Sequence, residues 1–163
     1  KQDKTLLRNV SPLTITALLK SAKDDFVLGI RGGSVEAGKI AIIPGGHAEY
    51  LIPLIDNLIQ TFESEFMEEI GYEFKGSLAQ KCILTNRDTQ GINVLYAAGT
   101  DRTFQQIEES WRNAKDRSEH DSLFSATEQD IRQLAQTGRV MVKGKEYMTT
   151  PFIQDCFAFY INH

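Results

Sequence analysis

The chain has 163 residues, 41% hydrophobic and 25% charged, with a net charge of −4 from 22 acidic and 18 basic residues. That length suits one domain with its own core and is short for two, so residues 1–163 read as a single domain. The acidic balance argues against bulk nucleic-acid binding, which needs a cationic excess to displace counterions, and the longest apolar runs are too short to cross a bilayer.

A mild acidic excess still admits a small anionic substrate if a bound cation bridges the charges. No basic-then-apolar leader opens the chain, so a cytoplasmic protein is expected. The two cysteines, Cys82 and Cys156, lie in apolar stretches and read as buried thiols in a reducing compartment, not as a disulfide or metal site. The three histidines, His47, His120 and His163, show no ligand spacing.

In chain order, residues 13–19 are rich in Thr, Ile and Leu and predict a strand, followed by a polar turn and a second strand over 26–31. Residues 40–43 form a short apolar strand that stops at Pro44, with Gly45-Gly46 as a flexible bend. The segment 57–70 predicts a helix, because Leu58, Ile59, Phe62, Phe66 and Ile70 share one face at about 100° per residue. Asp56 is its expected N-cap and Gly71 its stop. Two strands follow over 78–84 and 92–98, and then a long polar stretch, 99–122, in which Phe104 and Trp111 are the only aromatics. Ser125-Ala-Thr-Glu128 resembles a capping box opening a helix through Gln136, with Gly138 behind it. Thr150-Pro151 reads as a cap and first-turn proline before a last apolar helix over 152–161. Strands and helices mixed in one unit predict an α/β fold, a mixed sheet with helices on both sides.

The helix over 57–70 carries its acids where local energetics disfavour them. Glu65, Glu68 and Glu69 are related by three and four residues, so their carboxylates crowd together, at roughly 0.2–0.5 kcal/mol per like-charged pair. They also occupy the last turns, where the helix dipole disfavours an anion by about 0.3–1 kcal/mol each. No Lys or Arg lies between Asn57 and Tyr72 to offset this. A hard divalent cation, which takes oxygen ligands, would reverse the sign of that balance; a solvated acidic face is the alternative.

Taken together, Gly45-Gly46-His47-Ala48-Glu49 and Glu65-Phe66-Met67-Glu68-Glu69-Ile70-Gly71-Tyr72 resemble the Nudix box, a Gly-Gly loop followed by a helix carrying R-E-hydrophobic-x-E-E-x-G-hydrophobic. Residues 38–46 look like the strand leading into that loop, and 26–31 like the strand before it. Two departures stand out: Ser64 occupies the place of the box arginine, and the spacing from Gly46 to Glu65 is four residues longer than the standard box. If the extra residues lie within 50–55, Asp56 takes the place of the first box glutamate.

The resemblance implies a Nudix-type α/β/α sandwich that hydrolyses a nucleoside diphosphate linked to another moiety. It implies that Glu65, Glu68 and Glu69, with the main-chain carbonyl of Gly45, hold Mg²⁺ or Mn²⁺. A further glutamate outside the box serves many relatives as base or ligand; Glu108, Glu109 and Glu119 are the candidates, and Glu119 is preferred. Arg31 resembles a phosphate-contacting position, Glu49 of the box is a further substrate-binding candidate, and Trp111 could stack on a nucleobase or anchor its segment to the core. The expected partner is a small nucleotide-type substrate. Dimers are common among relatives, and the last helix could serve one or pack on its own core. The competing reading is a Nudix-fold module that binds a nucleotide without cleaving it.

Overall fold

A computed structural model describes residues 12–33, 36–48, 54–85 and 90–163. Its elements run β1 (Leu13–Lys20), β2 (Phe26–Arg31), β3 (Ile40–Ile42), β4 (Gly45–Ala48), α1 (Leu54–Ile70), β5 (Gly76–Thr85), β6 (Ile92–Thr100), α2 (Phe104–Trp111), β7 (His120–Ala126), α3 (Glu128–Thr137), β8 (Arg139–Val142), β9 (Lys145–Met148) and α4 (Pro151–Asn162).

Seven strands form one mixed sheet along the path β3-β2-β1-β6-β5, with β4 also on β1 and β7 also on β2. Among the described strand pairs, β1 and β6 run parallel, from Leu13↔Ile92 to Lys20↔Gly99, and the others antiparallel. Alternation along these strands sends side chains to two cores. Ile15, Ala17 and Leu19 of β1 and Val94 and Tyr96 of β6 join one cluster with α1 and α2, whereas Leu18, Leu95 and residues of α3 and α4 form the other. The result is helix–sheet–helix layering, with period-2 strands feeding both faces.

Helix α1 is held by Leu58, Phe62, Phe66 and Ile70, spaced four residues apart and all buried. Phe62 and Phe66 also meet Phe74 edge-on, with centroids 4.9 and 5.0 Å away. Burying each such side chain contributes roughly 1.5–3 kcal/mol. That exceeds the few tenths lost per like-charged pair among Glu65, Glu68 and Glu69. Packing therefore fixes the helix, and the acidic face is carried along. Gly71 stops it with a φ of +88°, a conformation that favours glycine.

Several expectations change. Helix α1 begins at Leu54, so Asp56 lies in its first turn and is not its cap. Gly45-Gly46 is strand rather than bend: Thr16↔Gly45 and Ile15↔Gly46 pair β4 with β1. The cap of α3 is Thr127, whose hydroxyl accepts the Asp130 N–H while Asp130 accepts the Thr127 N–H. The polar stretch 99–122 is largely ordered. Thr103 and Gln106 form a capping box that opens α2, a 3-10 turn spans Arg117–Glu119, and β7 starts at His120. A hairpin, β8–β9, was unanticipated; Lys143 and Gly144 turn it with φ of 50° and 81°, the pattern of a two-residue I′ turn. Helix α4 is capped by Thr150 as expected and buries Cys156 and Phe157 in the chain's own core. No helix among the described residues is long and apolar enough to cross a membrane.

Candidate active site

The C-terminal half of α1 lies against β4, and this contact builds the site. Glu69 is only 5% exposed, and its Oε2 accepts the Gly45 N–H at 3.2 Å. Glu65, one turn earlier, presses on the backbone of Gly46: a Cβ there would fall 2.0 Å from its carboxylate. The missing side chain at Gly46 thus leaves room for the Glu65 carboxylate against β4, a contact that a side chain on Gly46 would displace.

The 3-10 turn completes the arrangement. Asp116 donates its N–H to the Glu68 carbonyl at 2.9 Å, and Gly32 donates to the Glu119 carbonyl at 2.8 Å. These bonds tie residues 116–119 to the end of α1 and to the end of β2. Across β2 and β7, Arg31 pairs with His120. Ligand atoms of Glu69, Glu119 and His120 all lie within 4.8 Å of one another.

Electrostatics register the crowding. Burial, opposed by the Gly45 N–H and reinforced by Glu119 and Glu65, pushes the Glu69 carboxyl up to about 8, with Arg31 pulling the other way. Burial also raises Glu65, and Glu68, Glu119 and Asp116 raise it further. Glu68 is lowered instead, because Lys115 bonds its carboxylate at 2.7 Å. His120 is held down to about 4 by burial and then by the Arg31 guanidinium, while Asp121 acts oppositely. A buried carboxylate that resists ionisation beside two others is the environment a divalent cation stabilises. The buried Nδ1 of His120 has no hydrogen-bond partner. Oxygen donors in excess of compensating cations, together with that orphaned nitrogen, fit a bound divalent ion.

The expected site residues divide. Glu65, Glu69, Glu119, Arg31 and Gly45 come together; Glu68 sits beside them in its pair with Lys115. What the structure gives of Gly45 is its N–H on Glu69. Glu49 lies outside the described residues. Glu108 pairs with Arg112 at 3.1 Å on α2. Trp111 needs correction as a stacking platform: it is 4% exposed within the core beneath α1, and the Arg117 guanidinium lies 5.4 Å from its ring centroid. A nucleobase would have to displace packed side chains to reach it. Phe104 packs partly buried on the same core. The sequence carries no signal for His120, since no second histidine stands at ligand spacing from it; its partners, Glu69 and Glu119, come from another element and from the preceding residue. The Thr103–Gln106 capping box was the available signal that this region is built rather than loose.

No protein-family model matches the chain, and no curated protein matches it. Solved structures do resemble it. A mutT/nudix family protein from Listeria innocua aligns with a TM-score of 0.63 at 14% identity, covering 95% of this chain and 94% of that one. The MutT protein of Methanosarcina mazei Go1 aligns at 0.61 and 16%, covering 95% and 96%. The NUDIX domain of Shewanella oneidensis NrtR, complexed with ADP ribose, aligns at 0.57 and 16%, covering 81% and 82%. At such identities the likeness establishes the fold: the chain has the Nudix fold.

Proposed function

We propose that this chain is a single-domain, metal-dependent pyrophosphohydrolase that cleaves a nucleoside diphosphate linked to another moiety. The observation that carries this reading is the buried Glu69 carboxylate seated on the Gly45 N–H, with Glu65 and Glu119 close enough to oppose its ionisation. Nothing in the packing requires three acids there, whereas Mg²⁺ or Mn²⁺ would satisfy them.

In this reading Glu65, Glu68 and Glu69, with the Gly45 carbonyl, hold the ion. When bound, such an ion neutralises diphosphate oxygens and acidifies a coordinated water. Arg31 binds the diphosphate with its fixed positive charge. Glu119, exposed at the turn before β7, accepts the proton of the attacking water. The water oxygen bonds to phosphorus as the bridging P–O bond breaks, and the departing phosphate leaves with the second moiety. Glu49 remains part of the proposed substrate surface. Trp111 is left out because of its burial. Free Cys82 and Cys156 accord with a cytoplasmic setting.

A second reading, a nucleotide-binding module without turnover, draws on Ser64 in place of the box arginine and on Lys115, which already occupies Glu68. A release screen over nucleoside diphosphate derivatives, run with Mg²⁺, Mn²⁺ or EDTA, separates the two. Turnover that EDTA removes is the expected result; saturable nucleotide binding with no turnover under any metal would favour the module.

A further inference from the structure

We propose that His120 supplies a nitrogen ligand to the cation held by Glu69, next to the base Glu119, biasing the site toward first-row ions such as Mn²⁺ over Mg²⁺. The inference rests on the hydrolase reading and adds to it a donor that an all-carboxylate site lacks.

The imidazole is 4% exposed, and its Nδ1 is fully buried without a partner. Buried polar atoms are nearly always satisfied, so an orphan of this kind asks for an absent neighbour. A histidine ring nitrogen lies within 4.8 Å of carboxylate oxygens from both Glu69 and Glu119. An ion bound to Glu69 there would reach the ring nitrogen with only small side-chain adjustments.

Local construction accounts for the ring's position. Gly29 lies on β2 opposite Leu123 of β7, and a Cβ on Gly29 would stand 2.6 Å from the His120 Nδ1. The missing side chain is what lets the ring lie down over β2, on the side of the sheet that faces α1. Leu123, on the same face, belongs to the core beneath that helix. The fold thus makes room for an imidazole beside Glu69 and Glu119 and leaves its Nδ1 without a hydrogen-bond partner.

The chemistry follows from ligand type. Mg²⁺ strongly prefers oxygen and gives up its waters reluctantly. First-row ions accept imidazole, with affinity rising from Mn²⁺ to Co²⁺ and Ni²⁺. One nitrogen among carboxylates therefore shifts selectivity without excluding Mg²⁺.

The test uses the full chain loaded with Mn²⁺ and examined by pulsed electron paramagnetic resonance for ¹⁴N coupling from a directly bound imidazole. The chain has three histidines, so the source can be assigned by elimination. The coupling should be present in the wild type, persist in His47→Gln and His163→Gln, and vanish in His120→Leu. Calorimetric Mn²⁺ affinity should fall by about tenfold or more in His120→Leu, at least the loss typical of a disturbed metal shell, with a smaller change for Mg²⁺. Should His120→Leu not fold, the two other variants still identify the ligand. Mn²⁺ bound without ¹⁴N coupling, or with coupling lost in His47→Gln, would overturn the assignment and leave the hydrolase reading standing. No Mn²⁺ binding at millimolar concentration would overturn both.

Discussion

Glu69 and Gly45 are joined by a hydrogen bond of 3.2 Å between a buried carboxylate and a backbone N–H, and this bond couples the acidic helix to the strand beside it. With the nearby Arg31 charge, it offsets only part of the burial that pushes this carboxyl up to about 8. A single N–H does not replace the hydration a carboxylate loses on burial. Glu69→Gln keeps the shape and removes the charge. Turnover should drop by roughly 100-fold or more, the scale at which even outer-shell partners of a metal matter, while the metal-free protein becomes more stable at pH 8. Parallel kinetics and thermal melts check both; wild-type turnover in the variant would remove Glu69 from the chemistry.

The same group sets a pH dependence, and His120 opposes it. Folding raises Glu69 from 4.5 to about 8, so its contribution to stability is full below the unfolded value and is lost as pH rises to the folded one. Folding lowers His120 from 6.5 to about 4, so its contribution is lost as pH falls across that window. The two effects oppose each other between 4.5 and 6.5, and only the Glu69 effect persists from 6.5 to 8. Glu65, also raised, acts in the same sense as Glu69. With EDTA, Tm should therefore fall from pH 6.5 to 8, by an amount on the order of a few kcal/mol in stability. Saturating Mn²⁺ should reverse the slope, since the ion takes the proton's place. A flat metal-free profile would mean that Glu69 is already ionised in the fold.

Gly46→Ala probes the contact between β4 and α1. The added Cβ would fall 2.0 Å from the Glu65 carboxylate and 2.4 Å from its Cγ. The clash is with the far end of a flexible side chain, so Glu65 can swing aside. Stability should change by about 1 kcal/mol or less, within the range of overpacking that can relax, whereas Mn²⁺ affinity should fall clearly. A large loss of Tm with unchanged affinity would show the reverse: a structural glycine beside an uninvolved glutamate.

How much was legible follows from the range of each signal. The apolar spacing of Leu58, Phe62, Phe66 and Ile70 is local, and so are the Thr150-Pro151 start of α4 and the Gly138 stop of α3, with its φ of 68°. These were readable, as was the acidic face that α1 carries. The pairing of Thr16 with Gly45 is not local, and a Gly-Gly pair by itself reads as a bend. His120 joins Glu69 only because β7 lies beside β2 and α1 packs over that part of the sheet. No spacing within one segment could reveal it. Trp111 misled for a different reason: an aromatic in a polar stretch looks exposed until the Thr103–Gln106 box is seen to open a helix, which turns the ring inward.

That burial makes Trp111 a stability residue with a testable asymmetry. Its ring fills the core with Phe66 and Ile107, yet its Nε1 is buried without a partner. Truncation to Ala removes packing and should cost about 3–5 kcal/mol. Trp111→Phe loses volume too, but it also removes an N–H whose unsatisfied burial costs about 1–3 kcal/mol. The two effects offset, so Trp111→Phe should lie far closer to wild type than Trp111→Ala in urea denaturation. Because the ring is covered, KM for whichever nucleotide proves to be a substrate should not move in Trp111→Phe. A rise of tenfold or more in KM at unchanged stability would instead mean that the ring becomes exposed during the reaction cycle and meets the base.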